Sequence, residues 1–299
     1  WVDISTSLDW NEEIHNYNRT FKDWNSYNNV TKWLKVINAK YKIICDDLNL
    51  GFEKKMWAML TVTKKTLDNP KWVVDAYIEN GLDWIFIRPL NPYWFAAADL
   101  ERLWYSSEDF LDYYKKSMDY IIEINKSWKV FREHFSSIYL WKILKPKDPN
   151  FLDDRNPCWA SIWQVAYNFD GKIYSCDEWR MLWRMWVDEF QIWNISDNAW
   201  KTYQDMLTSD STNVMVQSST MDGMPWYDDS VYKPYMWLCP IHNYKLRWSV
   251  YPNFSLDSKK KISYGVIDYL FLKMKDPEIK AIFKKWVREP DRAIWKCDV

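Results

Sequence analysis

Apolar and polar residues follow two rhythms along this chain. Residues 1–9, Trp-Val-Asp-Ile-Ser-Thr-Ser-Leu-Asp, alternate as a strand does. Asn29–Ala39 instead carries Val30, Trp33, Leu34, Val36 and Ile37 at helical spacing. Tyr41–Phe52 breaks the rhythm and reads as an insertion, with Cys45 a small buried residue within it. The continuous apolar run Met56–Val62 suits a parallel strand buried on both faces. A helix is expected over Pro70–Asn80, stopped by Gly81, and a second buried strand over Trp84–Leu90. Strand, helix and strand in that order predict right-handed βαβ units of a parallel α/β barrel. Helices are expected over Ser107–Asn125 and Phe131–Leu144. Lys145-Pro146 and Asp148-Pro149 then break the chain and divide it into domains 1–147 and 148–299.

The second half opens on Val165–Phe169 and Lys172–Tyr174, two β-type runs joined across Asp170-Gly171, the strongest short hairpin signal. A hairpin returns to its origin, so Cys158 and Cys176 are brought to one end of it, close enough to share a metal. Cys239, in Leu238-Cys239-Pro240, is a third candidate thiolate. Beyond, Trp200–Thr208 reads as helical, Ser209–Asp222 as a solvated loop, and Tyr264–Met274 and Asp276–Arg288 as helices. Lys259-Lys-Lys261 reads as a solvated run.

Bulk properties narrow the function. A net charge of −1 over 299 residues makes no electrostatic case for nucleic acid or an anionic membrane. No apolar run reaches the roughly 18 residues of a spanning helix, and the first residues do not read as a signal peptide. Five irregularly spaced Cys point to metal ligation in a reducing cytoplasm, not to a secreted disulfide scaffold. One such site is structural zinc on Cys158, Cys176, Cys239 and His242, since Cys239-Pro-Ile-His242 has the C-x2-H spacing of zinc modules.

The abnormal count is 23 Trp against 5 Gly, where a chain this long ordinarily carries about 21 Gly. Trp10 follows Asp9, Trp94 follows Asn91-Pro92-Tyr93 and Trp226 follows Pro225. These are turn contexts that favour φ > 0, which Gly adopts freely and a bulky residue does not. Many Trp codons are therefore expected to be UGA, read as Gly in the source organism. The alternative is a Trp-rich protein that stacks carbohydrate.

The segment Cys158–Asp177, with its Cys-x12-Gly-x4-Cys spacing, resembles the opening of the SPASM domain of radical S-adenosylmethionine (SAM) enzymes. With Trp84 and Trp94 read as Gly, Gly81–Ala96 resembles the sixth barrel strand of the maturases of His-Xaa-Ser peptide systems. Ser7-Leu-Asp-Trp10 with Ile14-His-Asn-Tyr-Asn-Arg19 resembles the fourth strand and loop of such maturases. The likeness covers residues 1 to about 275. It implies an α/β fold: the C-terminal part of a partial (β/α)6 barrel followed by an α+β SPASM-type domain.

By that resemblance Ser7, Asp9, Arg19 and Arg88 are SAM-side residues, against the plainer reading of a polar strand end and structural ion pairs. Cys158, Cys176 and Cys239 would hold an auxiliary [4Fe-4S] cluster, whose fourth ligand is open between substrate, a non-Cys side chain and Cys297. Asp177 would be the acid/base, or else a hydrogen-bonding group beside the cluster. A second auxiliary cluster should be absent, because Tyr227, Ser230, Met236 and Lys260 stand where the family has Cys.

No Cys-x3-Cys-x2-Cys, the motif of the SAM-cleaving cluster, occurs among the 299 residues, so an N-terminally truncated maturase is expected. The intact protein would generate a 5′-deoxyadenosyl radical and take a hydrogen atom from a peptide or protein substrate, fed by a donor such as ferredoxin or flavodoxin. A non-catalytic peptide-binding module is the alternative. The nucleotide sequence tests the recoding: UGA is expected at Trp10, Trp94, Trp163 and Trp237, and UGG at those positions refutes it.

Overall fold

The computed structural model describes residues 4–93, 95–127, 129–145, 149, 151, 154–197, 203–222, 224, 226–253 and 257–287. In chain order the elements are β1 (Ser5–Ser7), α1 (Glu12–Asn18), α2 (Ser26–Asp47), β2 (Trp57–Thr61), α3 (Pro70–Glu79) and β3 (Trp84–Arg88). Then come α4 (Phe95–Ala98), α5 (Leu100–Leu103), α6 (Ser107–Lys126), β4 (Arg132–Glu133) and α7 (His134–Leu144). Next follow β5 (Ala166–Tyr167), β6 (Lys172–Tyr174), α8 (Asp177–Trp183), β7 (Gln191–Asn194), α9 (Tyr203–Leu207) and α10 (Asp210–Thr220). The chain ends on α11 (Pro240–Arg247), α12 (Ser258–Lys273) and α13 (Pro277–Trp286). No described helix is long and apolar enough to cross a membrane.

The chain divides into two compact units. The first holds the chain to Leu90, Leu103–Pro146 and the part from Gly265 on; the second holds Asn91–Arg102 and the part from Lys147 to Tyr264. The linker that sequence places at 145–149 lies mostly outside the described residues.

In the first unit β1, β2, β3 and β4 pair in that order, all parallel, with helices between consecutive strands. Ala58, Leu60, Ile85 and Ile87 are fully buried on one face. The strands are not buried equally on both faces, as their continuous apolar text suggests. Trp57, Met59 and Thr61 alternate with buried positions and stay half-exposed, as does Arg88 on β3. The expected helix over Pro70–Asn80 is present, and Gly81 follows it at φ +77 with its N–H on the Ile78 carbonyl.

Two local readings change. Helix α2 runs on through Tyr41–Asp47, because Leu34, Tyr41 and Cys45 continue one buried stripe. The start of the expected helix over Phe131–Leu144 is instead strand β4 on β3, and Glu133 ends the strand by capping α7: its carboxylate accepts the N–H groups of Phe135 (2.9 Å) and Ser136 (2.6 Å).

The second unit carries an antiparallel sheet, β5-β6-β7. The hairpin turns where the sequence places it: Gly171 has φ +84, and the Lys172 N–H donates to the Asp170 carboxylate at 3.2 Å. Ser209–Asp222, read as a solvated loop, is largely helix α10. The Ser209 hydroxyl caps it through the Thr212 N–H (3.3 Å), and Thr212, Met215, Ser218 and Ser219 form a buried stripe at helical spacing.

Seven described non-glycine residues have φ > 0, and four are tryptophan: Trp10 (φ 111), Trp186 (66), Trp226 (71) and Trp248 (54). Trp10 and Trp226 are two of the turn positions singled out from sequence; the third, Trp94, lies outside the described residues. A left-handed backbone costs a side-chain-bearing residue about 1–2 kcal/mol. Trp186 is 97% exposed, so its indole returns little packing energy. Trp186→Gly is therefore expected to stabilise the protein by about 1 kcal/mol, read as a raised midpoint in urea denaturation. A lowered midpoint would mean that the indole is needed there.

Candidate functional site

The three thiols predicted to converge belong to the second unit. Cys158 is buried before the hairpin, its sulfur accepting the Ala160 N–H at 3.4 Å. Its own N–H donates to the Ser219 hydroxyl at 3.1 Å, and the Ser219 carbonyl accepts the indole N–H of buried Trp237 at 2.9 Å. The Ser161 N–H donates to the Ser175 carbonyl at 2.8 Å and so ties the strand before Cys176 to the segment after Cys158.

Cys176 stands just before α8 and Cys239 just before α11, each as the residue that opens the helix. Neither closes a capping bond, yet the backbone N–H of Trp179 faces the Cys176 sulfur and that of His242 faces Cys239. Helix amides so placed favour thiolate over thiol. Burial outweighs them. It pushes the Cys176 thiol well up, reinforced by Glu178 and by the neighbouring Cys158 and Cys239. Burial pushes Cys239 up to about 12, with Lys259 pulling the other way and Glu178 and Cys158 adding to the rise. The three sulfurs therefore sit within electrostatic reach of one another, and the described cysteines form no disulfide.

Among the described residues no three His, Cys, Asp or Glu side chains are placed to hold one metal ion. Yet each thiol has a backbone amide facing it, as sulfurs that bind an iron–sulfur cluster require. Buried polar atoms with no hydrogen-bond partner among the described residues flank these positions: Trp159 Nε1, Ser161 Oγ, Ser175 Oγ and His242 Nε2. Cys297 lies outside the described residues.

Asp177, the predicted acid/base, is the first residue of α8 and is ion-paired to Arg180, with Nη2 at 2.7 Å and Nε at 2.9 Å from Oδ1. Glu178, beside it, is the residue sequence reading passed over: its charge acts on two of the three thiols. The positions where thiolates are missing form one network. Buried Tyr227 hydrogen-bonds Asn156 and the carbonyls of Lys233 and Met236, and Ser230 bonds the Tyr264 hydroxyl at 2.5 Å. Lys260 lies over the Tyr264 ring at 5.4 Å.

Ser7, Asp9, Arg19 and Arg88 belong to the first unit, and the sheet brings them to the C-terminal end of its strands. Ser7 pairs with Met59, Met59 with Phe86 and Thr61 with Arg88, so Ser7 and Arg88 share one face. Asp9, 1% exposed, holds Arg19 through Nε at 2.7 Å and Nη2 at 3.1 Å and accepts the Thr61 N–H at 3.2 Å. Arg19 is thus committed to Asp9, the ion pair that the plainer reading allowed. The next residue back, Asn18, has a buried amide nitrogen with no hydrogen-bond partner among the described residues.

Two histidines that sequence did not single out complete this region. The Asp9 N–H donates to His15 Nδ1 at 3.2 Å, and His15 Nε2 bonds Ser26 at 3.1 Å. His134 packs against the rings of Phe86 (4.8 Å) and Trp84 (5.0 Å).

No family model and no curated protein matches the chain. Among solved structures several share this chain's fold. The similar structures are of anSMEcpe, an anaerobic sulfatase-maturating enzyme. Its native form with bound AdoMet aligns at TM-score 0.63 with 14% identity, over 94% of this chain and 68% of its own. The forms with AdoMet and a Kp18Cys or a Cp18Cys peptide align at 0.62 and 0.63, over 94% of this chain and 69% of theirs, again at 14% identity. At that identity the likeness establishes an α/β fold with a parallel sheet.

Burial, with Arg88 adding to it, lowers the His134 imidazole from 6.5 to about 4. The unfolded chain therefore binds the proton first, and stability falls as pH drops below 6.5 toward 4. At roughly 1.4 kcal/mol per pH unit the loss is capped near ~3 kcal/mol. His134→Gln should flatten that part of the urea-denaturation profile between about pH 7 and about pH 4.5. A slope unchanged in the variant would place the proton elsewhere, with His15, also lowered mainly by burial, the next group to replace.

Proposed function

We propose that this chain is part of a radical SAM maturase that modifies a peptide or protein. The observation that supports this best is the fold it shares, over 94% of its length, with an enzyme solved with AdoMet and peptides bound. The three thiols of the second unit add the chemistry. In this reading the first unit contributes strands and helices of a SAM-binding barrel, and the second unit forms a SPASM-like auxiliary-cluster domain. The boundary expected at 147/148 therefore holds only in part: Asn91–Arg102 goes with the second unit and the part from Gly265 on with the first. The SAM-cleaving motif is not among these 299 residues, so the chain by itself would bind and position without initiating the reaction.

Cys158, Cys176 and Cys239 would hold an auxiliary [4Fe-4S] cluster, which when bound supplies an electron acceptor or a substrate-binding metal. The Ala160, Trp179 and His242 amides would stabilise the sulfurs as thiolates. Asp177, set at the start of α8 directly after a ligand, would remove a proton from the substrate, with Arg180 fixing its carboxylate beforehand. Ser7, Asp9, Arg19 and Arg88 would form the SAM side: Ser7 and Arg88 from one sheet face, and Asp9 with Arg19 as a locked pair that shapes the strand end. A ferredoxin- or flavodoxin-type donor would supply electrons. Structural zinc on the same three thiols with His242 is the second reading.

Anaerobic reconstitution with iron and sulfide tests this. The chain should become brown and iron-loaded, and Cys176→Ser should lose most of its iron while keeping its circular dichroism. A colourless chain that takes up zinc, or a Cys176→Ser variant with full iron, would end the cluster reading.

A further inference from the structure

His242 is 2% exposed, and its two ring nitrogens differ. Nδ1 is held by the Tyr93 hydroxyl at 3.2 Å. Nε2 is buried with no hydrogen-bond partner among the described residues. A buried imidazole nitrogen left bare is destabilising unless something binds it. His242 also lies three residues beyond Cys239, with Cys239 opening α11 and Pro240 as its first residue. Cys239 is the extended residue before the helix, and His242 sits in the helix's first turn directly after it. Its backbone N–H, moreover, already faces the Cys239 sulfur.

We propose that His242, through Nε2, is the fourth ligand of the group held by Cys158, Cys176 and Cys239. The inference rests on the thiol site described above and completes its donor set with a side chain from the helix that Cys239 precedes. Tyr93 is then the positioning residue. With Nδ1–H donating to its hydroxyl, the tautomer that leaves the Nε2 lone pair available is the one selected. Three thiolates and one imidazole would carry less negative charge than four thiolates, and imidazole ligation raises the potential of an iron–sulfur centre.

The test uses the whole chain, reconstituted anaerobically and reduced, with its three histidines labelled with heavy nitrogen. Pulsed electron paramagnetic resonance should show a strongly coupled histidine nitrogen. That coupling should vanish in His242→Ala. His242→Cys should keep full iron loading, lack the coupling and have a lower midpoint potential, which also controls for folding. Tyr93→Phe should retain iron but alter the coupling. An iron-loaded wild type without histidine coupling, or a coupling that survives in His242→Ala, overturns the assignment and leaves the three-thiol site standing. A wild type that takes up no iron overturns both.

Discussion

One buried carboxylate organises the first unit. Glu133 is fully buried, and burial raises its pKa. Such a group is tolerated only where donors surround it. Here the N–H groups of Ile87, Phe135 and Ser136 and the phenol of Tyr114 all point at it, at 2.6–3.1 Å. Those four donors come from β3, α7 and α6, so a single side chain fastens two helices to the end of the strand from which Arg88 extends. Strand β4 is two residues long and could not hold that edge by its own ladder. The carboxylate does what the short strand cannot.

This arrangement also shows where sequence reading stops. Runs with a strong local signal, such as Met56–Val62, the helix before Gly81 and the Asp170-Gly171 turn, appear close to where their chemistry places them. Each is decided by neighbours a few residues away. Strand β4 is not: Arg132 and Glu133 have no strand-like text, and only pairing with Trp84 and Ile85 makes them one. Helix α10 was hidden for a different reason. Its buried stripe is built from Thr, Met and Ser, small or polar residues that read as a solvated loop until something covers them.

The candidate site divides along the same line. The hairpin brings together the surroundings of Cys158 and Cys176 by local turn chemistry, which is why the pair could be picked out from spacing. The ion pair of Asp9 with Arg19 was within reach too, ten residues apart across one turn and one short helix. The bond between Tyr93 and His242 spans 149 residues and leaves no trace in either local segment. Glu178 was legible as a letter but not as a charge acting on two sulfurs, since that depends on how far α8 is buried.

The left-handed tryptophans bear on how this molecule's surface is read. Trp186, Trp226 and Trp248 project from tight bends, each more than 70% exposed. Laid out as a map, they suggest an aromatic landing platform for sugars or partner proteins. Their backbone geometry says that the bends came first and that the rings are passengers on them. A chain with glycine at those bends would lose the apparent platform, keep its path through space, and be far less prone to stick to its own copies.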